Sequence, residues 1–332
     1  MKKIGVLYGM ENSFPFDLVD KINSLANKNI HAEFIEVGAV RMDSIMDYNV
    51  ILDRVSHEVP FYRSILKLAV LNNVRVINNP FWNSADDNFF HSALASRIGI
   101  PTPKTVILPT KEHPPGTNSD TMRNLEYPIR WDDVFGYVGF PAYIKPCRMD
   151  PSINSFKVYN QADFFTAYDL TGKNVMILQE AIEYDRYFRA FVIGKTEVRI
   201  MNFDPMKPQH MRYSHEPISL PTKLEEKIIK KSTDICSALG FDYNAIEFAV
   251  RGNDVYAVDL LNPTPTSEAA YLQEDDYNWL VETTAELLIK YTRERKSRTA
   301  EYNWNQFLTG KKAAAKAPAK KTTKSKKTST LR

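Results

Sequence analysis

The sequence predicts an α/β protein built from more than one sheet. Strand and helix signals alternate through the first 90 residues, which is typical of a small parallel sheet with helices on both faces. Farther along, pairs of strand signals joined by short loops predict antiparallel hairpins. A chain of 332 residues is long enough for two or three domains and a sizeable core.

The elements of the first part are short and regularly spaced. Strands are predicted at 4–8, 32–37, 50–52 and 74–77, and helices at 16–26 and 62–71. No glycine fingerprint follows the first strand, so a dinucleotide site is not expected there. The run Ser84-Ala85-Asp86-Asp87 has the composition of a helix N-cap, and the helix that it opens ends near Arg97, before Gly99.

Beyond residue 100 the signals change to hairpins and longer amphipathic helices. Strands are predicted at 106–108, 142–145, 155–159, 175–181, 188–193, 198–203, 244–250 and 255–260, and helices at 162–168, 224–239 and 279–294. Residues 109–132 are rich in proline, threonine, asparagine and charge, so they predict an irregular insertion.

The composition excludes a disulfide framework and a membrane helix. Only Cys147 and Cys236 occur, and neither has metal-ligand spacing. No apolar run approaches the roughly 18 residues that a membrane helix needs. The N-terminus has the pattern of a first strand rather than of a signal peptide. We therefore expect a cytoplasmic protein with no membrane contact.

The net charge of +3 combines two unlike parts. Residues 311–332 contain eight lysines, one arginine and no acidic residue, whereas the rest of the chain has 34 basic and 40 acidic residues. This segment lacks apolar side chains to bury, so residues 310–332 are predicted to form a disordered, Lys-rich basic tail. The tail is either a solubilising appendage or a nonspecific contact for nucleic acid or another polyanion.

Two distant stretches carry the strongest functional signal. The first, 139–146, is a short apolar strand that delivers Lys145. The second is a pair of strands whose ends offer Glu247, Asp259 and Asn262. A lysine for phosphate and hard oxygen ligands for Mg²⁺ are the minimum needed to handle ATP. Taken singly, the first stretch also fits an ordinary strand-end lysine whose side chain reaches water. The second also fits solvated acids of a hairpin.

Several motifs follow one another in a fixed order along residues 1–295. After the βαβ region come Asp86-Asp87, Ile100-Pro101-Thr102-Pro103, Gly139-Phe140-Pro141 before Lys145-Pro146, Leu178-Gln179-Glu180-Ala181-Ile182, Arg189-Ala190-Phe191-Val192-Ile193-Gly194, the paired acids and Asn262-Pro263. In this order the chain resembles the ATP-grasp superfamily, in its glutathione-synthetase-like and ribosomal-protein glutamate ligase-like branch. The resemblance implies an α/β ATP-grasp fold, with an N-terminal Rossmann-like domain at 1–90, a small lobe at 91–180 and a large lobe at 181–298.

The same resemblance implies an activity. It points to a carboxylate–amine ligase that uses ATP and Mg²⁺ (or Mn²⁺) and works through an acyl phosphate. Its substrates would be a small-molecule or peptide carboxylate and an amine, neither of which the sequence identifies. A homodimer is also compatible with the family. Catalysis would depend on positioning and electrostatics, without a protein nucleophile.

By resemblance, one set of residues would bind ATP. Lys145 would hold the α- and β-phosphates as a point charge. The hinge Gln179, Glu180, Ala181 and Ile182 would offer backbone groups to the adenine edge. Asp185 is the acid nearest the position that normally holds the ribose, and Tyr187 occupies the matching position.

Glu247, Asp259 and Asn262 would hold the metal. The two carboxylates lie twelve residues apart, as in the glutamate-ligase pattern. The family usually has an acid-x-Asn sequence, whereas two leucines separate Asp259 from Asn262, and a bulge would restore the geometry. We favour a metal site because acids within apolar strands are costly unless they are paired or coordinated.

Three further residues are candidates for contacts with the reacting groups. An inward Arg189 would steady developing negative charge, although a surface ion pair is the alternative. Arg54 and His57 follow a strand of the first domain, on the side where open α/β sheets bind ligands, and would hold the acceptor substrate. For His57 the alternative is a hydrogen-bonded loop residue.

Two features depart from the family pattern. Asn88 stands where the family's first ATP lysine is normally found, and Lys104 is the substitute nearest in sequence. The loop 147–155, which is usually glycine-rich, has no glycine, so Arg148, Ser152 or Asn154 would have to contact phosphate by side chain. The alternative hypothesis is therefore a non-catalytic or weakly active ATP-binding module.

Overall fold

The computed structural model describes residues 1–26, 28–81, 87–148, 153–214 and 220–294. The Lys-rich tail, Asp86 and residues 149–152, including Ser152, lie outside this range. Within it, the strands form three sheets of four strands each, which follow one another along the chain.

Most element bounds lie within two residues of the prediction, whereas the strand predicted at 32–37 spans Ile30–Phe34 and the helix predicted at 279–294 begins at Glu274. The strands are β1 (Lys2–Leu7), β2 (Ile30–Phe34), β3 (Val50–Asp53), β4 (Arg75–Ile77), β5 (Thr105–Leu108), β6 (Ala142–Pro146), β7 (Phe156–Val158), β8 (Met176–Glu180), β9 (Arg186–Ile193), β10 (Glu197–Asn202), β11 (Tyr243–Arg251) and β12 (Asp254–Asp259). The helices are α1 (Phe14–Leu25), α2 (Pro60–Leu71), α3 (Asn88–Arg97), α4 (Trp131–Val138), α5 (Gln161–Asp169), α6 (Thr222–Leu239) and α7 (Glu274–Arg293).

The first sheet is parallel and has the order β2-β1-β3-β4. Its strands are buried on both faces, since Val50 and Leu52 of β3 pack with α1, whereas Ile51 packs with α2. The strand order reverses between β1 and β3, and ligands of open α/β sheets bind outside the carboxyl ends at such a point. The predicted parallel sheet with helices on both faces is confirmed.

The second sheet is antiparallel, in the order β5-β8-β6-β7. Its core lies under α4 and α5, where Trp131, Phe135, Phe164 and Tyr168 form an aromatic cluster. Helix α4 was not predicted: it begins inside the segment read as irregular, and its two turns are too short for a clear periodic signal. Trp131, Phe135 and Val138 nevertheless share one helix face that packs on the sheet.

The third sheet is also antiparallel, in the order β10-β9-β11-β12. Helix α6 packs on one face and α7 on the other, because alternate residues of β9 enter different cores. The core on the α7 face also includes α1, so the first and third sheets share one apolar interior. Helix α3 packs on α6 across the predicted boundary at residue 90, and the domain limits stay a prediction.

No helix of the described residues is long and apolar enough to cross a membrane.

Candidate functional site

Lys145 lies on the face of the second sheet opposite α4 and α5. Side chains alternate along β6, so Ala142 and Ile144 enter the core while Tyr143 and Lys145 point the other way. The register places Ile177 beside Lys145, and Ile107 on the far side of Ile177. The half-buried side chain of Lys145 has neither a hydrogen bond nor an ion pair with any described residue. This face therefore combines an unpaired cation with an apolar strip.

Glu247 and Asp259 of the third sheet lie directly opposite each other because of a β-bulge. Phe248 pairs with Ala257, so regular pairing would put Val258 opposite Glu247. One extra residue in β12 places Asp259 there instead and turns its side chain to the face of Glu247. This bulge precedes Asp259, whereas the predicted one would lie between Asp259 and Asn262, so the predicted bulge stays a prediction.

The charge of Lys145 acts on both carboxylates. Burial acts to raise the pKa of Glu247, but the charge of Arg189 and hydrogen bonds from Tyr187 and Arg189 lower it below its ordinary value, and Lys145 adds to the lowering. Burial raises the pKa of Asp259, with Glu247 adding to the rise and Lys145 opposing it. Lys145, Glu247 and Asp259 are therefore within electrostatic range of one another, although they belong to two sheets.

Glu247 is the centre of a buried hydrogen-bond network. Tyr187 donates to one carboxylate oxygen from 2.7 Å, and Arg189 forms an ion pair with the other. Arg189 also donates to the hydroxyl of Tyr213 at 3.0 Å and stacks 3.9 Å from the centroid of Phe203. Arg189 is therefore an inward arginine, as predicted, although its guanidinium is already paired. The alternation of Tyr187 and Arg189 on one strand was the available signal for this network, whereas Tyr213 gave none.

Asp259 and Asn262 each have a side-chain oxygen without a hydrogen-bond donor among the described residues. The Oδ1 atom of Asp259 is buried without a hydrogen-bond partner. Asn262 is fixed through its backbone, which donates to Oδ1 of Asn244 at 2.8 Å and accepts from Ala245 at 2.9 Å. Its side-chain amide has no partner among the described residues. Two oxygens of the predicted metal set are thus unpaired.

The predicted adenine hinge joins β8 to β9. Gln179 is buried and donates to the hydroxyl of Thr105 at 3.0 Å. The N–H of Glu180 donates to the carbonyl of Lys104, and the N–H of Lys104 donates to the carboxylate of Glu180. The N–H of Ala181 donates to the carbonyl of Pro141. The N–H of Ile182 has no partner among the described residues, so it is a free donor at this hinge.

The carboxylate of Asp185 bonds to a different part of the chain from the hinge. Its carboxylate accepts from the N–H of Gly252 at 2.7 Å, in the turn between β11 and β12. Tyr187, at the position that the resemblance matches to the ribose acid, is instead bonded to Glu247. The ribose contact of Asp185 stays a prediction that the hydrogen bond to Gly252 does not favour.

Asn88 joins the start of α3 to the end of β6. Its N–H donates to Cys147 at 2.7 Å, and its side-chain amide donates to the carbonyl of Pro146 at 3.1 Å. Asp87 caps α3 and forms a backbone bridge with Arg148. Position 88 therefore lies beside the strand that carries Lys145, with a neutral amide where the resemblance expects a lysine.

Arg54 and His57 lie at the carboxyl end of β3 and contact the loop that follows Asn262. The Arg54 side chain is buried, paired with Glu11, and donates to the carbonyl of Pro265 at 2.9 Å. The His57 ring lies 3.0 Å from the hydroxyl of Thr264, and burial lowers the pKa of His57. Both predicted substrate residues thus face the third sheet, although Arg54 is held by protein partners.

The fold and this site can be set beside known proteins. No family model matches the chain. A D-alanine–D-alanine ligase from Prochlorococcus marinus is 23% identical over 150 residues, which are 41% of this chain and 43% of the length of that curated relative.

Solved structures match over most of the chain. They include a RimK-domain ATP-grasp protein from Sphaerobacter thermophilus (13% identity, TM-score 0.61, covering 88% of this chain and 100% of that one). A D-alanine–D-alanine ligase from Bacillus anthracis complexed with ATP matches at 16% identity and TM-score 0.59, covering 88% and 96%. The macrocyclase MdnC from Microcystis aeruginosa, bound with a precursor peptide, matches at 13% and 0.57, covering 87% and 100%. The chain therefore has the ATP-grasp fold, as the order of its motifs predicted.

Proposed function

We propose that the protein is an ATP-dependent carboxylate–amine ligase. One observation carries the proposal: an unpaired lysine of one sheet acts electrostatically on two buried carboxylates of another, in a chain with the ATP-grasp fold. A cation for phosphates and acidic ligands for a divalent cation are the parts that nucleotide-dependent phosphoryl transfer needs.

The second sheet would bind the nucleotide. Lys145 pairs with phosphate oxygens, for which its unpaired ammonium is suited. The free N–H of Ile182 donates to the adenine edge. Ile107, which is 42% exposed on the Lys145 face, covers one side of the base. Lys104 lies next to Glu180 at the same hinge.

The residues present fit a divalent cation. The orphaned Oδ1 of Asp259 and the unpaired amide of Asn262 are oxygen donors, and Glu247 has lone pairs beyond its two hydrogen bonds. Two carboxylates and an amide oxygen suit Mg²⁺ (or Mn²⁺), which would take further ligands from substrate phosphates. When bound, the cation would neutralise phosphate charge.

The remaining residues would position the acceptor. Arg189, fixed by Glu247 and Tyr213, presents positive charge where the acyl phosphate and the tetrahedral intermediate gain negative charge. His57 and Arg54 form the side of the cleft that faces the first domain. Several neighbours act on small amino acids or peptide precursors, so we propose a small-molecule or peptide carboxylate and an amine as substrates.

Binding of Mg-ATP tests the proposal. Wild-type protein should gain thermal stability with Mg-ATP, by about 2.7 kcal/mol at a hundredfold excess over Kd. Lys145→Met should lose most of this gain, while Lys173→Met, an exposed lysine of the same lobe, should keep it. Release of ADP should then rise when pooled carboxylates and amines are added. A wild-type protein that Mg-ATP does not stabilise would reject the proposal.

A non-catalytic ATP-binding module is the second candidate. Two observations favour it: both oxygens of Glu247 are engaged by protein donors, and Asn88 contributes a neutral amide beside Lys145. This candidate predicts clear Mg-ATP binding without substrate-stimulated ADP release. Asn88→Lys, which restores a cation, should then produce turnover, and measurable turnover of the wild type would rule the candidate out.

A further inference from the structure

The amino-end rim of the first sheet, where β1 to β4 begin, carries three exposed aliphatic side chains: Leu25, Ile45 and Leu71. Leu25 ends α1, Leu71 ends α2, and Ile45 lies in the loop that leads into β3. Their exposed fractions are 49%, 74% and 84%, in that order. The side chain of Asn72 donates to the carbonyl of Ser44 at 3.1 Å, so the loop of Ile45 lies against the end of α2. Exposed apolar groups gathered at one edge are typical of a contact surface.

The last helix ends at the same rim. The carbonyl of Thr292 accepts from the ammonium of Lys2, the first residue of β1, at 2.8 Å. Glu294 pairs with Arg75, the first residue of β4, at 3.0 Å. Arg75 follows Leu71 by only four residues. The chain therefore continues beyond α7 from a point close to the exposed leucine of α2.

Beyond residue 294, the sequence contains one stretch of large apolar side chains. It spans residues 302–308 and includes Tyr302, Trp304, Phe307 and Leu308. The last three have i, i+3 and i+4 spacing, which predicts one apolar face of a short helix. The segments on either side, 295–298 and 311–332, are basic. Solvated tails are typically poor in aromatic residues, so the composition of 302–308 indicates a segment that packs on protein.

We propose that residues 302–308 dock on the amino-end rim of the same chain. The seven residues 295–301 can span up to about 25 Å, whereas a sheet of four strands is about 15 Å wide, so the whole rim is within reach. This short connection gives the segment a high effective concentration at the rim, which favours it over a second copy. Docking would cover the three exposed side chains of the rim. It would also start the Lys-rich tail at the end of the sheet opposite to His57.

A double-mutant cycle in the full-length protein tests the docking. Trp304→Ala and Leu71→Ser should each raise the equilibrium constant of unfolding about fivefold, measured by urea denaturation. The double variant should differ little from either single variant, because both changes remove one contact. Leu170→Ser is the matched control, since Leu170 is a 70% exposed leucine at the end of α5. Its effect should add to that of Trp304→Ala.

The fluorescence of Trp304 gives a second measurement that does not depend on unfolding. Subtracting the spectrum of Trp304→Phe from that of the wild type isolates the emission of Trp304. The emission should be shifted to shorter wavelength than that of tryptophan in water, because the docked ring is removed from solvent. In the Leu71→Ser background the same subtraction should give an emission closer to that in water.

Two outcomes would overturn the inference directly: additive effects of Trp304→Ala and Leu71→Ser, or a water-like emission of Trp304 in the wild type. A coupling that is lost on dilution while sedimentation shows a dimer dissociating would also overturn it, and would assign the rim to a second copy. The response to Mg-ATP should be unchanged in these variants, because the rim lies at the opposite end of β3 from His57. The inference and the proposed function can therefore fail independently.

Discussion

Glu247 illustrates how neighbours decide the state of a buried acid. Its side chain is 12% exposed, and burial alone would favour the neutral form. The ion pair with Arg189 and the hydroxyl of Tyr187 reverse that preference and lower the pKa of Glu247 below its ordinary value of 4.5. The carboxylate is therefore ionised at neutral pH.

Glu247→Gln should destabilise the protein strongly. The change leaves the buried guanidinium of Arg189 without a counter-charge, which typically costs about 3–5 kcal/mol. Folding lowers the pKa of Glu247. Its ionised carboxylate therefore contributes to the free energy of unfolding above about pH 4.5, and this contribution is lost as the pH falls through the lowered pKa. The difference in the free energy of unfolding between wild type and variant, measured by urea denaturation, should therefore shrink in acid.

Asp234→Asn is the matched control for that experiment. Asp234 pairs with Lys230 one turn earlier on the exposed side of α6, at 2.6 Å. Because exposed ion pairs are screened by water, its loss should cost less than about 1 kcal/mol. Equal costs for the two variants would mean that the Glu247 pair behaves as a solvated one.

At the scale of secondary structure, the bulge in β12 decides which face of the sheet Asp259 occupies. Residues one position apart on a strand point to opposite faces, so without the extra residue Asp259 would enter the core under α6. The bulge turns it to the face of Glu247. One inserted residue thus creates the acid pair.

Two glycine-to-alanine changes should have opposite effects on stability. Gly136 lies inside α4 with no heavy atom within 4 Å of an added Cβ, so Gly136→Ala should stabilise the protein by about 0.5–1 kcal/mol. Gly240 ends α6 with φ of 85°, so Gly240→Ala should destabilise it by about 1 kcal/mol. Urea denaturation measures both, and a stabilising Gly240→Ala would contradict the left-handed cap.

At the scale of the whole molecule, the first and third sheets share one hydrophobic core. Helix α1 packs with α7 in a core that includes the third sheet, and Arg54 of the first domain lies against Tyr243 of β11. The loop after Asn262 forms hydrogen bonds with residues of the first sheet's part of the chain through Thr264, Pro265 and Glu268. An acceptor bound there would contact both parts.

The Lys-rich segment 311–332 should affect polyanion binding and not the folded body. Deleting it removes nine positive charges from a chain whose remainder has more acidic than basic residues. The truncated protein should elute from heparin at lower salt, because fewer counterions are released on binding, and its Mg-ATP response should be unchanged. A full-length variant with the eight lysines changed to glutamine should behave like the truncation, and unchanged heparin retention would contradict the prediction.

The sequence by itself determined the elements, the fold class and the strand that delivers Lys145. Those features follow from local periodicity and from turn and capping residues, which act over a few positions. Helix α4 was not predicted because two turns give too weak a periodic signal. Helix α7 begins five residues before the predicted start at 279, at three acidic residues that favour a helix start.

Only the tertiary structure decided which functional side chains meet. Three contacts join residues that are far apart in the chain. They are the ion pair of Arg189 with Glu247, the hydrogen bond of Asn88 to the end of β6, and the hydrogen bond of Asp185 to the turn at Gly252. Such contacts depend on strand register and on the relative position of sheets, and a shift of one residue reverses the face of every side chain that follows. Local patterns carry no measure of that register, whereas the folded chain fixes it by packing each face of a strand against its own partners.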